Sequence, residues 1–264
     1  MVTTHIESKF AAMGARLKVV ERGWDTFTLD IQQDRHGEFF SLSVAPQAGQ
    51  SVDLSVLQIL PEVRHLLLLV RTISRHPGKS RYLCGHDERS WFAAAVPGRV
   101  STIDAAKESL KPAEVIAAQD RLALNPKARH TRHNPAFTRQ GEWFFLPVPK
   151  LAVEGKMVLR NEPIRRGNGQ AHMVEQLYRD GGTAVYVCGR FRSGVTQEKY
   201  RQLLRDDPKT KRLGWQIMAR GAAVYAKGAV RHPDHQTVTL PCWHRVLLSR
   251  EDGAPGMDRP AFLD

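Results

Sequence analysis

Cysteine is scarce in this sequence, and so are long apolar runs. The 264 residues include three cysteines, Cys84, Cys188 and Cys242, which are far apart and odd in number. That usage fits free thiols in a reducing compartment better than a disulfide framework. The longest aliphatic run, Leu66 to Val70, is far shorter than the roughly 20 residues that span a bilayer. These absences argue against a transmembrane protein and against a disulfide-stabilised secreted domain.

The N-terminal residues lack the apolar stretch of a signal peptide. Glu7 and Lys9 interrupt the segment from Met1 to Arg16, where an export signal needs an unbroken apolar region. We therefore expect a cytoplasmic protein.

Acidic residues are few relative to basic ones. The chain has 39 Lys and Arg against 27 Asp and Glu, which gives a formal net charge of +12 and a sequence pI near 10.0. Such an excess destabilises a compact state by self-repulsion, whereas DNA and RNA phosphates bind Lys and Arg with release of counterions. The composition therefore favours a nucleic-acid-binding accessory protein. The alternatives are a basic surface that only maintains solubility and a structural subunit that docks acidic protein.

Hydrophobic periodicity predicts an α+β fold with mixed, mainly antiparallel sheets, a few short helices and two subdomains. Alternating apolar residues on both sides of the turn 34–37 predict a β-hairpin. Pro112 and Thr196 are placed to begin helices. The segment 56–74 is apolar with interspersed arginines and fits a helix after Pro61 or a buried strand, so we expect mixed structure there.

Changes of pattern divide the chain into an N-terminal α+β domain, a basic linker, a β-rich C-terminal α+β domain and a polar tail, at 1–124, 125–140, 141–249 and 250–264. No acidic residue occurs from Arg121 to Gln140, and the prolines and asparagines there argue against one regular element. Such a segment is either an arm that orders on phosphates or a solvated connection.

Residues expected to contact a phosphate backbone lie in the linker, in the glycine-rich segment Arg165 to Gly169 and in the cluster Lys209 to Arg212. We expect the glycine-rich segment to precede a helix, whose N-terminal N–H groups suit an anion together with the two arginines. The predicted nucleic-acid-binding residues are Lys127, Arg129, Arg132, Arg139, Arg165, Arg166, Lys209, Lys211 and Arg212.

Two pairs of residues favour an enzyme instead. His172 and Glu175 are three residues apart on a helix predicted to begin near Ala171, so they would share one face as an acid/base pair or as metal ligands. Cys84 and His86 project to one side of a predicted strand, where the imidazole would activate the thiol. A metal-dependent nuclease or another hydrolase is the alternative function, in which His172 and Glu175, together with His232 and His235, would supply metal-binding or acid/base groups.

Histidines concentrate at His232, His235 and His244, with Cys242 beside the last. A two-residue turn between the first two would set them facing each other across a hairpin mouth. Nine residues of extended strand would place His244 roughly 30 Å from His235, so a shared ion needs the chain to fold back, which Pro241 permits. No resident cofactor is expected; zinc or another divalent metal on these four residues is the alternative.

Four tryptophans have basic neighbours and are therefore candidates for stacking on bases, although aromatic residues in strands usually belong to a core. They are Trp91, Trp143, Trp215 and Trp243.

Three strings in the sequence resemble strings in a group of uncharacterised bacterial proteins. They are Cys84-Gly-His-Asp-Glu-Arg-Ser-Trp-Phe92, Arg139-Gln-Gly-Glu-Trp-Phe-Phe145, and His232-Pro-Asp-His235 with Trp243-His244-Arg245. The resemblance covers most of the chain. It implies no activity, cofactor or catalytic residue, because none is established for that group.

Overall fold

The computed structural model describes residues 2–20, 27–44, 51–73, 78–166 and 170–251. Within them the fold is mixed but mostly sheet, with four mainly antiparallel sheets and five short helices. None of the helices in the described residues is long and apolar enough to pass through a bilayer. The chain divides into unit 1, Met1–Thr131 with Ser249–Ala254, and unit 2, Arg132–Leu248 with Pro255–Asp264.

Unit 1 contains two sheets. The first has the order β1-β3-β2 with β1 parallel to β3, and the second is the antiparallel meander β4-β5-β6-β7. Its elements are α1 (Val2–Ala12), β1 (Leu17–Val20), β2 (Phe27–Asp34), β3 (Gly37–Val44), β4 (Ser51–Leu60), β5 (His65–Ile73), β6 (Gly78–Asp87), β7 (Ser90–Ala95), α2 (Ile103–Ser109), α3 (Ala113–Arg121) and α4 (Pro126–Arg129).

Strand β5 accounts for the longest aliphatic run of the sequence. Leu66 and Leu68 belong to a buried cluster with Phe10 of α1. Leu67 belongs to another cluster with Ile103 of α2. Because successive residues of a strand point to opposite faces, a strand that is buried on both faces needs an unbroken apolar run.

The expectation of mixed helix and strand in 56–74 is wrong. The described residues 56–73 lie in β4 and β5, which are joined by a single 3-10 turn at Pro61–Val63. Arg64 follows this turn with φ +54°, a left-handed conformation that ends it. The chain therefore reverses after Pro61 and does not continue as an α-helix.

The predicted β-hairpin around 34–37 is confirmed. Strands β2 and β3 pair antiparallel, with Asp34 opposite Gly37. The Asp34 carboxylate lies 2.8 Å from both the Arg16 guanidinium and the Lys18 ammonium, and it also accepts a hydrogen bond from the His36 N–H at 2.8 Å. One carboxylate thus fixes both the turn and the end of β1.

Unit 2 contains a seven-stranded antiparallel sheet, with the order β11-β12-β16-β17-β10-β9-β8, and a three-stranded sheet, β14-β13-β15. We call the first the large sheet. The elements are β8 (His133–Asn134), β9 (Phe137–Gln140), β10 (Trp143–Pro147), β11 (Leu159–Ile164), β12 (His172–Asp180), β13 (Thr183–Cys188), β14 (Phe191–Val195), α5 (Gln197–Asp206), β15 (Gln216–Arg220), β16 (Ala223–His232) and β17 (His235–Leu248).

The core of the large sheet is built from residues of several strands. Trp143 and Phe145 of β10, Leu177 of β12 and Ala226 of β16 are fully buried in one cluster. The predicted cap of α5 is also present, because the Thr196 hydroxyl accepts a hydrogen bond from the Lys199 N–H at 3.4 Å.

The segment predicted as a linker, 125–140, is folded. The Asn125 side chain accepts a hydrogen bond from the Ala128 N–H at 2.9 Å, and Pro126 occupies the first position of α4. Strands β8 and β9 follow, and the boundary between the two units falls between Thr131 and Arg132. Of the predicted tail 250–264, only residues 250 and 251 are among those described.

The helix predicted from Ala171 is wrong, because strand β12 occupies that segment. An irregularity in the β12–β16 pairing between Val174 and Gln176 interrupts the alternation, so that Val174 and Leu177 are both fully buried although they are three residues apart. The Glu175 carboxylate accepts a hydrogen bond from the Ala229 N–H of β16 at 2.8 Å. Glu175 therefore supplies a hydrogen-bond acceptor for the Ala229 N–H where the pairing of the two strands is irregular.

Candidate metal centre

Three histidines meet at one end of the large sheet. His172 is the first residue of β12, His232 is the last of β16, and His235 is the first of β17. His232 and His235 are opposite each other across the β16–β17 turn. The β12–β16 pairing places Met173 opposite Arg231, so His172 lies beside His232. Strand pairing thus joins two histidines that are 60 residues apart in the sequence.

The three imidazole rings are close and nearly parallel. Their centroids are 4.2 Å apart between His172 and His232, 4.7 Å between His232 and His235, and 5.5 Å between His172 and His235. One nitrogen of each ring lies within 4.8 Å of the others. Ligand nitrogens of a tetrahedral zinc ion are about 3.4 Å apart, given a Zn–N distance of about 2.1 Å. Because a metal lies in the plane of each ligating ring, these stacked rings would have to turn as well as approach one another to share an ion.

Burial keeps the His172 ring neutral. His172 is 1% exposed, and neither of its ring nitrogens has a hydrogen-bond partner among the described residues. Burial, together with the neighbouring His232 and His235, lowers the pKa of His172 to about 3. Burial also lowers the pKa of His232, although Asp234 and a backbone hydrogen bond with Gln170 oppose that shift. Metals bind neutral imidazole, so these shifts favour a metal ligand over a charged group.

The turn between β9 and β10 passes directly over the rings. Gly141 in this turn has φ +56°, and a Cβ there would lie 2.8 Å from Nε2 of His235 and 3.4 Å from Nε2 of His172. Nε2 of both rings therefore faces a space that any larger residue would fill. The preceding residue holds the turn in place, because the buried Gln140 amide donates to the carbonyls of Val230, at 3.1 Å, and Gln236, at 2.6 Å.

The β16–β17 turn places a carboxylate beside the cluster. Nδ1 of His232 accepts a hydrogen bond from the Asp234 N–H at 3.2 Å and lies 4.0 Å from Oδ2 of the same residue. An imidazole that binds metal through Nε2 carries its proton on Nδ1, where a carboxylate commonly orients it. Because Nδ1 accepts from the Asp234 N–H in this structure, the ring would have to exchange that bond for one donated to the Asp234 carboxylate before Nε2 could bind a metal.

The donor set selects among metals. Three neutral imidazole nitrogens suit zinc and similar divalent transition metals, whereas magnesium and calcium prefer oxygen ligands. Three protein ligands also leave one position of a tetrahedral ion for water or a substrate.

Of the four predicted metal-ligating residues, the structure brings His232 and His235 into this cluster. Strand β17 runs without a break from His235 to Leu248, so Pro241 does not fold the chain back. His244 instead donates from Nδ1 to the Cys242 carbonyl at 2.8 Å and lines a depression of about 460 Å³ elsewhere on the large sheet. Cys242 and His244 are therefore not part of the cluster, and His172 supplies the third nitrogen.

The proposed Cys84–His86 nucleophile is not supported. Cys84 is fully buried in the apolar core of unit 1, and this burial raises the pKa of its thiol well above the ordinary value. The thiol therefore stays protonated at neutral pH. The His86 ring packs edge-on against Trp91, with centroids 4.9 Å apart.

The predicted phosphate contacts differ in availability. Arg129 is paired with Glu108 and Asp120 in unit 1. Arg132 is half-buried, and burial together with the charge of Arg139 lowers its pKa to about 10. Residues 167–169 of the glycine-rich segment lie outside the described residues. Arg139 and Arg166 are half-buried, whereas the exposed members of the predicted set are Lys127, Arg165, Lys209, Lys211 and Arg212.

The tryptophans belong mainly to packed regions. Trp143 and Trp243 are buried, at 0% and 7% exposure, and therefore cannot stack on bases. The Arg64 guanidinium lies 4.4 Å from the ring centroid of Trp91. Trp215 is half-buried beside Phe191, with their ring centroids 5.5 Å apart.

No protein-family model matches the chain, and neither a curated protein nor a solved structure matches it.

Proposed function

We propose that the protein binds one divalent transition-metal ion of the zinc class through His172, His232 and His235. The observation that carries this proposal is the state of His172, a buried histidine with two ring nitrogens that lack hydrogen-bond partners among the described residues. Burying such a group without a partner costs about 1–3 kcal/mol. A metal ligand role offsets this cost, because one nitrogen gains a strong bond on binding.

A set of three histidine ligands is typical of catalytic metal sites. His172, His232 and His235 would hold the ion, which would supply Lewis-acid chemistry and a water of lowered pKa, as in catalytic zinc sites with three protein ligands. This supports hydrolysis, the alternative function predicted from the sequence. Cleavage of labelled oligonucleotides that stops on addition of a chelator would support a nuclease in particular.

The test uses the full chain after removal of metal with a chelator. We expect wild type to take up about one Zn²⁺ per chain and to gain about 2.7 kcal/mol of stability when free Zn²⁺ exceeds the Kd 100-fold. His172→Phe should bind no ion at this site. Without metal, the same variant should be at least as stable as wild type, because it replaces an unpartnered buried polar ring with an apolar one.

His133→Gln is the matched control, because His133 lies on the same sheet but outside the cluster. This variant should bind Zn²⁺ like wild type. Absence of zinc uptake by wild type, or equal uptake by His172→Phe, would show that the cluster is not a metal site.

A second candidate function, nucleic-acid binding, is favoured by the distribution of charge. Residues 132–248 contain 20 Lys and Arg against nine Asp and Glu, a net charge of +11 out of the +12 of the whole chain. Residues 1–131 contain 17 basic and 14 acidic residues. The surplus therefore belongs almost entirely to unit 2, as expected if unit 2 binds a polyanion.

A further inference from the structure

Half of the net charge lies in one short part of unit 2. Residues 183–220 comprise β13, β14, α5, a 3-10 helix at Pro208–Arg212 and β15. We call this segment the basic module. It contains nine basic and three acidic residues, a net charge of +6 in 38 residues. The basic residues are Arg190, Arg192, Lys199, Arg201, Arg205, Lys209, Lys211, Arg212 and Arg220.

These side chains are available to a ligand. Eight of the nine are exposed, and Arg220 is half-buried. Among the described residues, none of the nine lies in an ion pair with a carboxylate. The same chain does neutralise arginines elsewhere, as Arg16 with Asp34 and Arg129 with Glu108 show. The lack of ion pairs with carboxylates of the described residues therefore distinguishes the module from other parts of the chain.

The basic side chains are attached to a packed scaffold. The rings of Tyr186 in β13 and Tyr200 in α5 stack with centroids 4.0 Å apart and planes 4° apart. Trp215 packs edge-on against Tyr200 at 5.0 Å and donates from its indole N–H to the Thr210 carbonyl at 2.8 Å. These contacts join the helix and the 3-10 helix to the small sheet. The cations consequently occupy defined positions relative to one another.

We infer that the basic module is the surface that binds the phosphate backbone of nucleic acid. Six of the nine cations are arginines, whose planar guanidinium forks match phosphate oxygens. Ile217 is 69% exposed and Leu213 is 38% exposed, which adds apolar side chains that suit bases or sugars. Closely spaced cations with few neighbouring acids are the expected footprint of a polyphosphate. This inference rests on the second candidate function above and names its surface.

The test measures binding of the full chain to random single-stranded DNA, single-stranded RNA and duplex DNA over a salt series. Lys209→Gln/Lys211→Gln/Arg212→Gln removes three exposed cations of the module. Each phosphate contact contributes about 0.7 to 0.9 to the slope of log affinity against log salt. We expect the triple variant to lower that slope by about 2 and to weaken binding at low salt at least tenfold.

Lys79→Gln/Lys150→Gln/Arg160→Gln is the matched control, because it removes three exposed cations that lie outside the module and outside the predicted set of phosphate contacts. It should retain the wild-type slope. Circular dichroism and thermal unfolding of both variants establish that they remain folded.

The outcomes separate the two claims. If wild type shows no salt-dependent binding to any of the oligonucleotides, nucleic-acid binding itself is wrong. If wild type binds but the control variant loses as much slope as the module variant, the module is not the surface. Anionic phospholipid vesicles form a further arm. Tighter binding to vesicles than to nucleic acid, lost in the module variant, would assign the surface to membranes and overturn the inference.

Discussion

Positively charged side chains differ between unit 1, where Lys111 and Arg129 are paired with carboxylates, and the basic module of unit 2, where most of them are exposed. In unit 1 the nearly buried Lys111 donates to Glu108, to the Gln119 side chain at 3.1 Å and to the Arg129 carbonyl at 2.9 Å. Arg129 pairs with the same Glu108 and with Asp120. In the basic module eight of the nine cations are exposed, and none of the nine forms an ion pair with a carboxylate of the described residues. Charge in unit 1 therefore stabilises the fold, whereas charge in the module is available for a partner.

The largest expected effect tests the first half of this comparison. Glu108→Gln leaves the Lys111 ammonium, whose side chain is 4% exposed, without its carboxylate. Removing one partner of a buried pair costs about 3 kcal/mol of unfolding free energy, which urea denaturation measures. Asp53→Asn, which breaks the exposed pair with Arg71, should cost less than about 1 kcal/mol. Equal losses of unfolding free energy in the two variants would mean that the pairing of Lys111 with Glu108 stabilises the fold no more than an exposed ion pair does.

A smaller effect tests the space beside the histidines. Gly141→Ala places a methyl group against Nε2 of His235 and also strains a backbone with φ +56°. Gly181→Ala is the control, because Gly181 has φ +67° but nothing lies within 4 Å of an added Cβ. We expect Gly181→Ala to lose about 1 kcal/mol from backbone strain alone. Gly141→Ala should lose about 1 kcal/mol more and should bind zinc at least tenfold more weakly.

Zinc affinity of Gly141→Ala equal to that of Gly181→Ala would show that the ion does not lie beneath the β9–β10 turn. Isothermal titration with Zn²⁺ on the metal-free proteins measures both affinities.

The smallest effect concerns acid. Hydrogen bonds from Arg16 and then Lys18 hold the pKa of Asp34 well below its usual range. The folded state therefore favours the carboxylate, so the stabilisation is complete above the usual pKa of about 3.9 and is lost as the pH falls below it. Asp34→Asn should flatten the decline in stability between about pH 5 and pH 2. Asp30→Asn, on the same strand, should retain the wild-type decline; a flattening in both would exclude a specific role of Asp34.

Local patterns predicted local structure well. The alternation around 34–37 predicted the β2–β3 hairpin, and Thr196 predicted the start of α5. Asn125 as an N-cap and Pro126 at the first helical position also indicate the start of α4. The prediction of a linker gave more weight to the basic, proline-containing composition of 125–140 and so missed this helix.

The third histidine of the cluster, His172, could not be predicted from such patterns for a physical reason. Val174 and Leu177 are both buried although three residues apart, because the β12–β16 pairing is irregular there, and this spacing imitates a helix. The helical interpretation paired His172 with Glu175. Only the pairing of β12 with β16 brings His172 to His232, and a contact across 60 residues leaves no local signal.

The β12–β16 pairing also determines where the basic module is attached. Asp180 and Ala223 are paired neighbours in the large sheet, and the 42 residues between them include the whole module. The segment thus leaves and rejoins the sheet at one place, where an ordinary hairpin would have a short turn. The histidines lie at the opposite end of the same two strands, so the position of the cluster does not depend on the length or the charge of this insertion.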